Sequence, residues 1–300
     1  MTDNFRASLL MIATMAGFSM QDLLIKLASP RVPIGQIIMI IGLVGTAVMF
    51  VAAKRKGVNL LEPKLLSRPF LLRLIGEFLG CMLVFKALSL LSMSMTTAIG
   101  QAAPVVTTIG AALFLREHVG WRRWSAVAVG LVGVILVLQP GSEGFSPAAL
   151  LAVLSVIAFA ARDLATRVMP PEVNTYHATF WGYVMVLPSA VALMWTDNWA
   201  IVSPSSLDWA YILFGASFGV VFYWTLTLAL QIGEASVVGP LRYTRIVFAL
   251  ILAIVVLGER PSLLMMLGLS LVVGSGLYTV LREARLRRRR AASLAASGSL

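Results

Sequence analysis

The sequence predicts an all-α integral membrane protein in which ten transmembrane helices form two inverted five-helix repeats. Composition is the first reason: 59% of the 300 residues are hydrophobic and only 12% are charged, and the mean hydropathy is +0.90. A soluble domain carries about 25% charged residues. The other two reasons are the spacing of the apolar runs and a repeat at a nearly constant offset. A lipid bilayer is therefore the expected environment.

Ten apolar runs come close to the roughly 20 residues that a helix needs to cross a bilayer. Proline, glycine and charged residues separate these runs from one another. The predicted spans are 6–28, 34–53, 69–91, 93–115, 121–139, 146–168, 176–196, 208–231, 235–257 and 262–281. The third and fourth spans follow each other closely, as do the eighth and ninth, which predicts two tight antiparallel hairpins.

Basic residues are concentrated in alternate connections. Lys and Arg are frequent after spans two, four and ten, whereas the connections after spans five and seven contain none. Short cytoplasmic loops are enriched in Lys and Arg. Despite exceptions at Arg31 and Arg260, this bias predicts a multi-pass protein of the cytoplasmic (inner) membrane with both termini in the cytoplasm. Residues 284–300 are expected to be a disordered basic cytoplasmic tail, which fixes the topology or binds anionic lipids.

The sequence offers little for metal, redox, catalytic or nucleic-acid chemistry. Cys81 is the single cysteine, and His118 and His177 are the two histidines, so neither a disulfide framework nor a Cys/His metal site is expected. The net charge of +11 comes largely from clusters that flank apolar runs, which is a topology signal and not a nucleic-acid patch. Walker A and H-E-x-x-H motifs are absent. We therefore expect no cofactor, no nucleic acid and no enzymatic activity.

The second half of the chain repeats the first. Residues 87–117 align without gaps to 229–259 at an offset of 142. An F-x-x-x-D-L-x-x-[K/R] motif at 18–26 recurs at 159–167, at an offset of 141. Acidic residues match within both alignments, which makes the shared offset more informative than any single matched position.

Each predicted half contains five spans, and this odd number places the second half upside down relative to the first. The expected domains are residues 1–140 and 146–283, related by a two-fold axis in the membrane plane. Inverted repeats of this kind are typical of secondary transporters, whose substrate site lies near the midplane between the halves.

These residues resemble a known family. The five-plus-five layout, with an L-x-E end to span four (Leu115, Glu117) and to span nine (Leu257, Glu259), is similar to the drug/metabolite transporter superfamily and to its bacterial EamA-domain members. Length and layout resemble the amino-acid exporters of the YddG type. The resemblance implies secondary active transport of a small organic metabolite by alternating access, with export of an amino acid or a similar zwitterion or anion expected first. Uptake of a vitamin such as riboflavin, or of a nucleotide-like metabolite, is the alternative.

Polar residues present in only one half are the predicted substrate contacts, because a substrate is itself asymmetric. Arg242 and Arg245 lie on one face of span nine, and the alignment of the two halves matches both to small residues of the first half. Glu77 lies at a similar depth in span three, and we expect it to pair with these arginines. An arginine would then bind a substrate carboxylate or phosphate. The alternative interpretation is a permanent buried salt bridge, and protonation of Glu77 would couple transport to protons.

Amide and aromatic side chains near these charges complete the predicted substrate site. The alternative interpretation of the aromatic residues is a place in the core or at the membrane interface, where Trp and Tyr are common. The remaining predicted substrate-binding residues are Gln21, Gln101, Trp181, Tyr223, Trp224 and Tyr243.

The repeated motif predicts a second set of charges. Asp22 with Lys26, and Asp163 with Arg167, are i,i+4 pairs that share a helix face. They are interpreted either as gating ion pairs that form on alternate sides or as structural anchors whose basic ends reach the interface. Two helix-borne aspartates also suggest an intramembrane aspartyl protease, but the inversion places them near opposite faces. A monomer and a homodimer are both compatible with the sequence.

Overall fold

The computed structural model describes residues 3–114, 121–139, 146–170, 172–232 and 241–297. Within these ranges the regular structure is entirely helical, which confirms the predicted all-α class. The helices are α1 (Asp3–Ala28), α2 (Ile34–Arg55), a 3-10 turn (Pro63–Leu66), α3 (Arg68–Leu90), α4 (Met93–Gly100), α5 (Ala103–Phe114), α6 (Trp121–Leu138), α7 (Ala149–Arg167), α8 (Thr175–Thr196), α9 (Ser206–Ile232), α10 (Thr244–Val255) and α11 (Leu263–Ser297).

Six described segments are long and apolar enough to cross a membrane by length and composition: Phe5–Ala28, Ile34–Arg55, Met93–Phe114, Ala149–Thr166, Thr175–Thr196 and Ser206–Leu226. Shorter apolar helices occupy Trp124–Leu138, Thr244–Val255 and Leu263–Tyr278, where spans five, nine and ten are predicted. The third predicted span coincides with α3, a helix that carries several charged side chains. The chain thus has the helices of a multi-pass membrane protein, and the number of ten spans stays a prediction.

Two elements differ from the predicted helices. The fourth span is divided into α4 and α5, with turns at Gln101 and Ala102, because Pro104 has no backbone N–H with which to continue the helical hydrogen bonds. The last helix continues to Ser297, through the tail for which disorder is expected. Ala, Leu and Arg dominate that tail, and all three are strong helix formers.

The helices pack in pairs that join the two halves. α1 packs along α9, α3 along α7, α2 along α8 and α6 along α11, with further contacts of α1 with α10 and of α5 with α7. Each predicted span of one half has an equivalent in the other half, five places earlier or later in the chain. Exchanging every span for its equivalent converts the α1–α9 pair into the α3–α7 pair. The same exchange maps the α2–α8 and α6–α11 pairs onto themselves. This is the pairing expected when a two-fold axis relates the halves.

Glycines allow several of these pairs to approach closely. A Cβ on Gly76 would lie 2.8 Å from the carbonyl oxygen of Ala158, and a Cβ on Gly80 would lie 2.5 Å from the ring of Phe159. The G-x-x-x-G spacing in α3 therefore faces α7, as such spacings commonly do in membrane helix pairs.

An apolar cluster closes one end of the molecule. This end, at which α1, α3 and α8 finish and α2 and α9 begin, is called the outer end below, following the predicted orientation. Ile25, Ile37, Leu193 and Ile212 are fully buried there, from α1, α2, α8 and α9 respectively. The cluster fills the space between the two halves and separates the middle of the molecule from the outer end.

Candidate functional site

A cavity of about 130 Å³ lies between the two halves, on the inner side of the apolar cluster. Its walls come from α1, α2, α3, α8 and α9, so both repeats contribute. The lining residues are Phe18, Gln21, Ile41, Glu77, Cys81, Phe85, Thr179, Gly182, Tyr183, Val186, Gly219 and Tyr223. Three of the predicted substrate-binding residues, Gln21, Glu77 and Tyr223, are therefore brought together at one cavity.

Glu77 joins the cavity to a cluster of four charges. Its Oε1 lies 3.2 Å from Arg162 Nη1 and its Oε2 lies 3.7 Å from Arg73 Nη1. Arg162 also donates to Asp163 Oδ1 from Nε at 3.0 Å and from Nη2 at 2.9 Å. Two cations thus balance two anions, which is the condition for keeping charges inside a membrane protein.

The cluster keeps unused hydrogen-bonding capacity. Glu77 is 7% exposed and Arg73 is 4% exposed, yet Glu77 Oε2 and Arg73 Nε and Nη1 have no hydrogen-bond partner among the described residues. Gly182 leaves room beside them, because even an added Cβ there would lie 3.7 Å from Glu77 Oε2. Buried polar groups of native proteins are nearly always satisfied. A polar ligand in the cavity would supply the missing partner.

Aromatic rings form much of the remaining wall. Phe18, Phe85, Tyr183 and Tyr223 line the cavity, and the last two meet edge to face with ring centres 6.2 Å apart. Cys81 also lines it and donates its thiol hydrogen to Glu77 Oε1 at 3.8 Å. The site therefore combines one charged side with a largely aromatic and apolar surface, as small-molecule pockets commonly do.

The charged pair has a neutral counterpart in the other half. The offsets of the sequence repeat match Glu77 to Gly219 (219 − 77 = 142) and Arg162 to Gln21 (162 − 21 = 141). Gln21 packs over Gly219, since a Cβ on that glycine would lie 2.5 Å from Gln21 Nε2. An ion pair on the α3–α7 side is thus replaced by a glutamine over a glycine on the α1–α9 side.

The predicted network of Glu77 with Arg242 and Arg245 is corrected by the structure. Among the described residues, Glu77 pairs with Arg73 and Arg162, whereas Arg245 Nη2 donates to Asp22 Oδ2 at 2.6 Å. Helix packing explains the difference, because α3 lies along α7 while α10 lies along α1. Arg242 is exposed.

The repeated charges also have partners other than those predicted. Lys26 donates to the carbonyls of Leu88 at 2.8 Å and of Leu91 at the end of α3, and not to Asp22 within its own helix. Asp163 pairs with Arg162, and the side chain of Arg167 lies outside the described residues, as does Glu117. These contacts make Lys26 a cap for the last carbonyls of α3.

Glu259 binds the backbone at the junction of α3 and α4. Its carboxylate accepts hydrogen bonds from the backbone N–H groups of Met93 at 2.6 Å and Ser94 at 2.9 Å, where α4 begins. A carboxylate at a helix N-terminus satisfies orphan N–H groups and complements the helix dipole.

Six predicted substrate-binding residues lie away from the cavity: Gln101, Trp181, Trp224, Arg242, Tyr243 and Arg245. Gln101 follows the last residue of α4, and Trp181 donates its indole N–H to the Leu60 carbonyl at 3.0 Å. The Trp224 ring lies 5.4 Å from that of Tyr176. Tyr243 is buried beside Gly276. The aromatic members of this set thus lie in the interior or at the surface of the protein, away from the cavity, as the alternative interpretation of the sequence expects.

Polar contacts between the two halves cover the apolar cluster at the outer end. Lys86 of α3 lies 2.7 Å from Asp197, which follows α8. Arg31, between α1 and α2, lies 2.7 Å from Asp208 of α9, and this hydrogen bond raises the pKa of the Arg31 guanidinium. Gln36 exchanges two hydrogen bonds with the backbone of Val202. The outer end is closed in this structure by an apolar layer and a polar layer above it.

Comparison with known proteins follows the same division of the chain. The EamA-like transporter family matches residues 5–139 and again 146–281. The S-adenosylmethionine uptake transporter of Rickettsia bellii is 27% identical over 219 residues, which are 72% of this chain and 74% of that protein. The riboflavin transporter of Rhizobium johnstonii is 30% identical over 192 residues, covering 64% of this chain and 63% of that protein.

A third relative carries the name of an exporter. The pseudopaline exporter CntI of Pseudomonas aeruginosa is 26% identical over 236 residues, which are 77% of this chain and 80% of that protein. A solved crystal structure of a protein shares the fold, with a TM-score of 0.62 at 19% identity, and covers 94% of this chain and 99% of that one. The similarity of fold to this structure extends over nearly the whole chain.

Proposed function

Because the chain belongs to the EamA-like transporter family, we propose that it carries a small zwitterionic metabolite with an amino-acid head group through the cavity between its two halves. The family makes the protein a membrane transporter and not an enzyme. The proposal adds the class of substrate, the residues that bind it, and transport by alternating access across the cytoplasmic membrane with both termini in the cytoplasm.

The charge-balanced pair of Glu77 and Arg162 is the observation that carries the proposal. A zwitterion presents a carboxylate, which suits the planar guanidinium of Arg162, and an ammonium group, which suits Glu77. Both ends can therefore be paired without adding net charge to a buried site. A simple anion would leave one unpaired negative charge among the four charges, and burying an unpaired charge is costly.

The names of the relatives support the same substrate class. S-adenosylmethionine, named for the Rickettsia bellii relative, carries a zwitterionic amino-acid head group, and its additional sulfonium charge lies outside that head group. Riboflavin, named for the Rhizobium johnstonii relative, lacks that head group but would suit the aromatic wall of the cavity, and it is the alternative substrate. The relatives include a named uptake transporter and a named exporter. The sequence favours export, and measuring transport in both directions decides the direction.

Purified protein is expected to bind zwitterions that carry an amino-acid head group. We expect S-adenosylmethionine and methionine to raise the thermal unfolding midpoint in detergent and to exchange in counterflow in proteoliposomes, because both present the paired charges. Methionine methyl ester, which lacks the carboxylate, is the matched control. Stabilisation by riboflavin alone would favour the alternative substrate, and stabilisation by none of these compounds would contradict the proposal.

The closed outer end supports alternating access. The cavity lies on the inner side of the cluster of Ile25, Ile37, Leu193 and Ile212. The Lys86–Asp197 contact lies on the outer side of that cluster. Opening toward the outside would separate α8 from α3 and break that contact. We therefore interpret the polar layer as an outer gate that biases the carrier toward the outward-closed state.

Asp197→Asn is expected to make the cavity more accessible from outside. An ion pair of this partly exposed kind contributes about 0.2–1 kcal/mol, which corresponds to a rise of about 1.4- to fivefold in the outward-open population. Cys81 lines the cavity, so its rate of labelling by a membrane-impermeant thiol reagent in right-side-out vesicles measures this access. Asp3→Asn, the same change near the N-terminus, is the control. An unchanged labelling rate in Asp197→Asn would remove this contact from the gate.

A further inference from the structure

The side-chain amide of Gln21 is a second polar feature of the cavity, separate from the charged cluster. Gln21 lines the cavity from α1 and is partly buried. No hydrogen bond to its side chain is formed by the described residues, in contrast to Glu77, which holds two arginines. The amide therefore offers free donors and a free acceptor to whatever occupies the cavity.

Gly219 provides the space in which this amide lies. An added Cβ at Gly219 would lie 2.5 Å from Gln21 Nε2, 3.1 Å from its Cδ and 3.3 Å from its Oε1. All three amide atoms thus pack over the backbone of α9. An alanine at this position would displace the far end of a flexible side chain, so the helices could stay in place while the amide moved.

Aromatic rings flank the amide on the same helix faces. Phe18 precedes Gln21 by three residues on α1, and Tyr223 follows Gly219 by four residues on α9; both rings line the cavity. Residues three and four apart on a helix lie on one face. An amide with a free donor and acceptor can pair with the edge of a planar heteroaromatic ring, while neighbouring aromatic side chains pack on its faces.

We propose that Gln21 and Gly219 form a second subsite, which receives a planar heteroaromatic group at the end of the substrate away from its ionic head. This inference rests on the proposed function, in which the head group binds at Glu77 and Arg162. The substrate class is then an amino acid whose side chain carries a nucleobase-like ring. The ion pair and the amide occupy equivalent positions in opposite halves. Because these two positions differ chemically, the substrate binds in one orientation.

Gln21→Leu tests the subsite, because leucine has a similar volume and cannot form the hydrogen bonds. Dissociation constants of S-adenosylmethionine and methionine are measured by isothermal titration with the full-length protein. The ratio of the first constant to the second is expected to rise about tenfold, as for the loss of one or two hydrogen bonds. A ratio that stays within twofold of the wild-type value would overturn the subsite.

Gly219→Ala tests the same subsite without changing the amide itself. We expect the ratio to rise in the same direction, because the new Cβ displaces the amide. Gly274→Ala is the matched control, since a Cβ there would meet no atom within 4 Å, and the ratio should keep its wild-type value. If Gly219→Ala weakened both ligands equally, the glycine would serve helix packing only, and its role in the subsite would be lost.

Adenosine and riboflavin separate failure of this inference from failure of the proposed function. If the wild-type protein binds neither methionine nor S-adenosylmethionine, but Gln21→Leu weakens binding of either ring compound about tenfold, the zwitterion proposal falls and the ring subsite stands. If methionine binds and S-adenosylmethionine binds no more tightly, the zwitterion proposal stands and the ring subsite falls. If none of the four compounds binds, both are overturned.

Discussion

Glu77→Gln is expected to lower the affinity for zwitterions about 100-fold while the protein still folds. The substitution removes the carboxylate that pairs with the ammonium group, and hydrogen bonds to charged groups contribute about 1.5–3 kcal/mol each. Arg162 keeps its contacts to Asp163 at 2.9–3.0 Å, whereas the buried Arg73 loses the carboxylate 3.7 Å away, so the unfolding midpoint is expected to fall as well. Binding by isothermal titration and thermal unfolding in detergent, measured on the same preparation, distinguish lost affinity from lost stability.

Arg162→Gln is the informative companion, because it removes the guanidinium that is proposed to bind the substrate carboxylate. Glu77 would keep Arg73, which lies 3.7 Å away, whereas Asp163 would lose its contacts to Arg162. Removing one partner of a buried ion pair costs about 3–5 kcal/mol, so a lower unfolding midpoint is expected. Glu62→Gln, the same chemical change as Glu77→Gln but in the connection between α2 and α3, is the control for both measurements.

The two interpretations of Glu77 predict different results for this pair of variants. A permanent salt bridge predicts that both substitutions lower stability and that the remaining folded protein binds ligand with wild-type affinity. A substrate-binding pair predicts that the affinity of the folded protein falls in both variants, whatever their stability. Wild-type affinity in folded Glu77→Gln protein would therefore assign the cluster to structure alone.

The sequence predicted the helices well because the length of an apolar run is a local property. The all-helical class and the start of α4 after a short connection both follow from local composition and spacing. The break between α4 and α5 was within reach of the same reasoning, since Pro104 interrupts the run. Helix existence thus requires little knowledge of the tertiary structure.

Partners within the site were harder to predict than depth in the membrane. A rise of about 1.5 Å per residue gives the depth of Glu77 and of Arg245, and both were correctly expected to need a counter-charge. Which helices are neighbours is a tertiary property, and it pairs Glu77 with Arg162 and Arg245 with Asp22. Lys26 shows the same limit, because the carbonyls that it binds belong to another helix.

Arg162 could have been found from the sequence. It lies within the repeated motif and aligns with Gln21 at an offset of 141, so its charge is present in only one half. That criterion selected Arg242 and Arg245 and applies equally to Arg162. Arg162 occupies the one position of the motif at which the two halves differ in charge.

The contact between α6 and α11 is the other place at which one substitution should have a large effect. A Cβ on Gly133 would lie 2.6 Å from the carbonyl oxygen of Gly268, and a Cβ on Gly268 would lie 2.6 Å from that of Gly133. These neighbours are backbone atoms, which cannot rotate away as a side chain can. The two helices belong to different repeats, so the contact holds the halves together at a distance from the cavity.

Gly133→Leu is expected to separate these helices and to lower the unfolding midpoint in detergent by about 5–10 °C, since overpacking typically costs about 1–3 kcal/mol. Gly274→Leu on α11 is the matched control, because a side chain there meets open space, and its midpoint should stay within about 2 °C of the wild type. Equal shifts in both variants would mean that leucine acts through helix propensity or detergent binding. A large shift in Gly133→Leu alone would instead show that close backbone contact, and not side-chain packing, joins the two repeats along this edge.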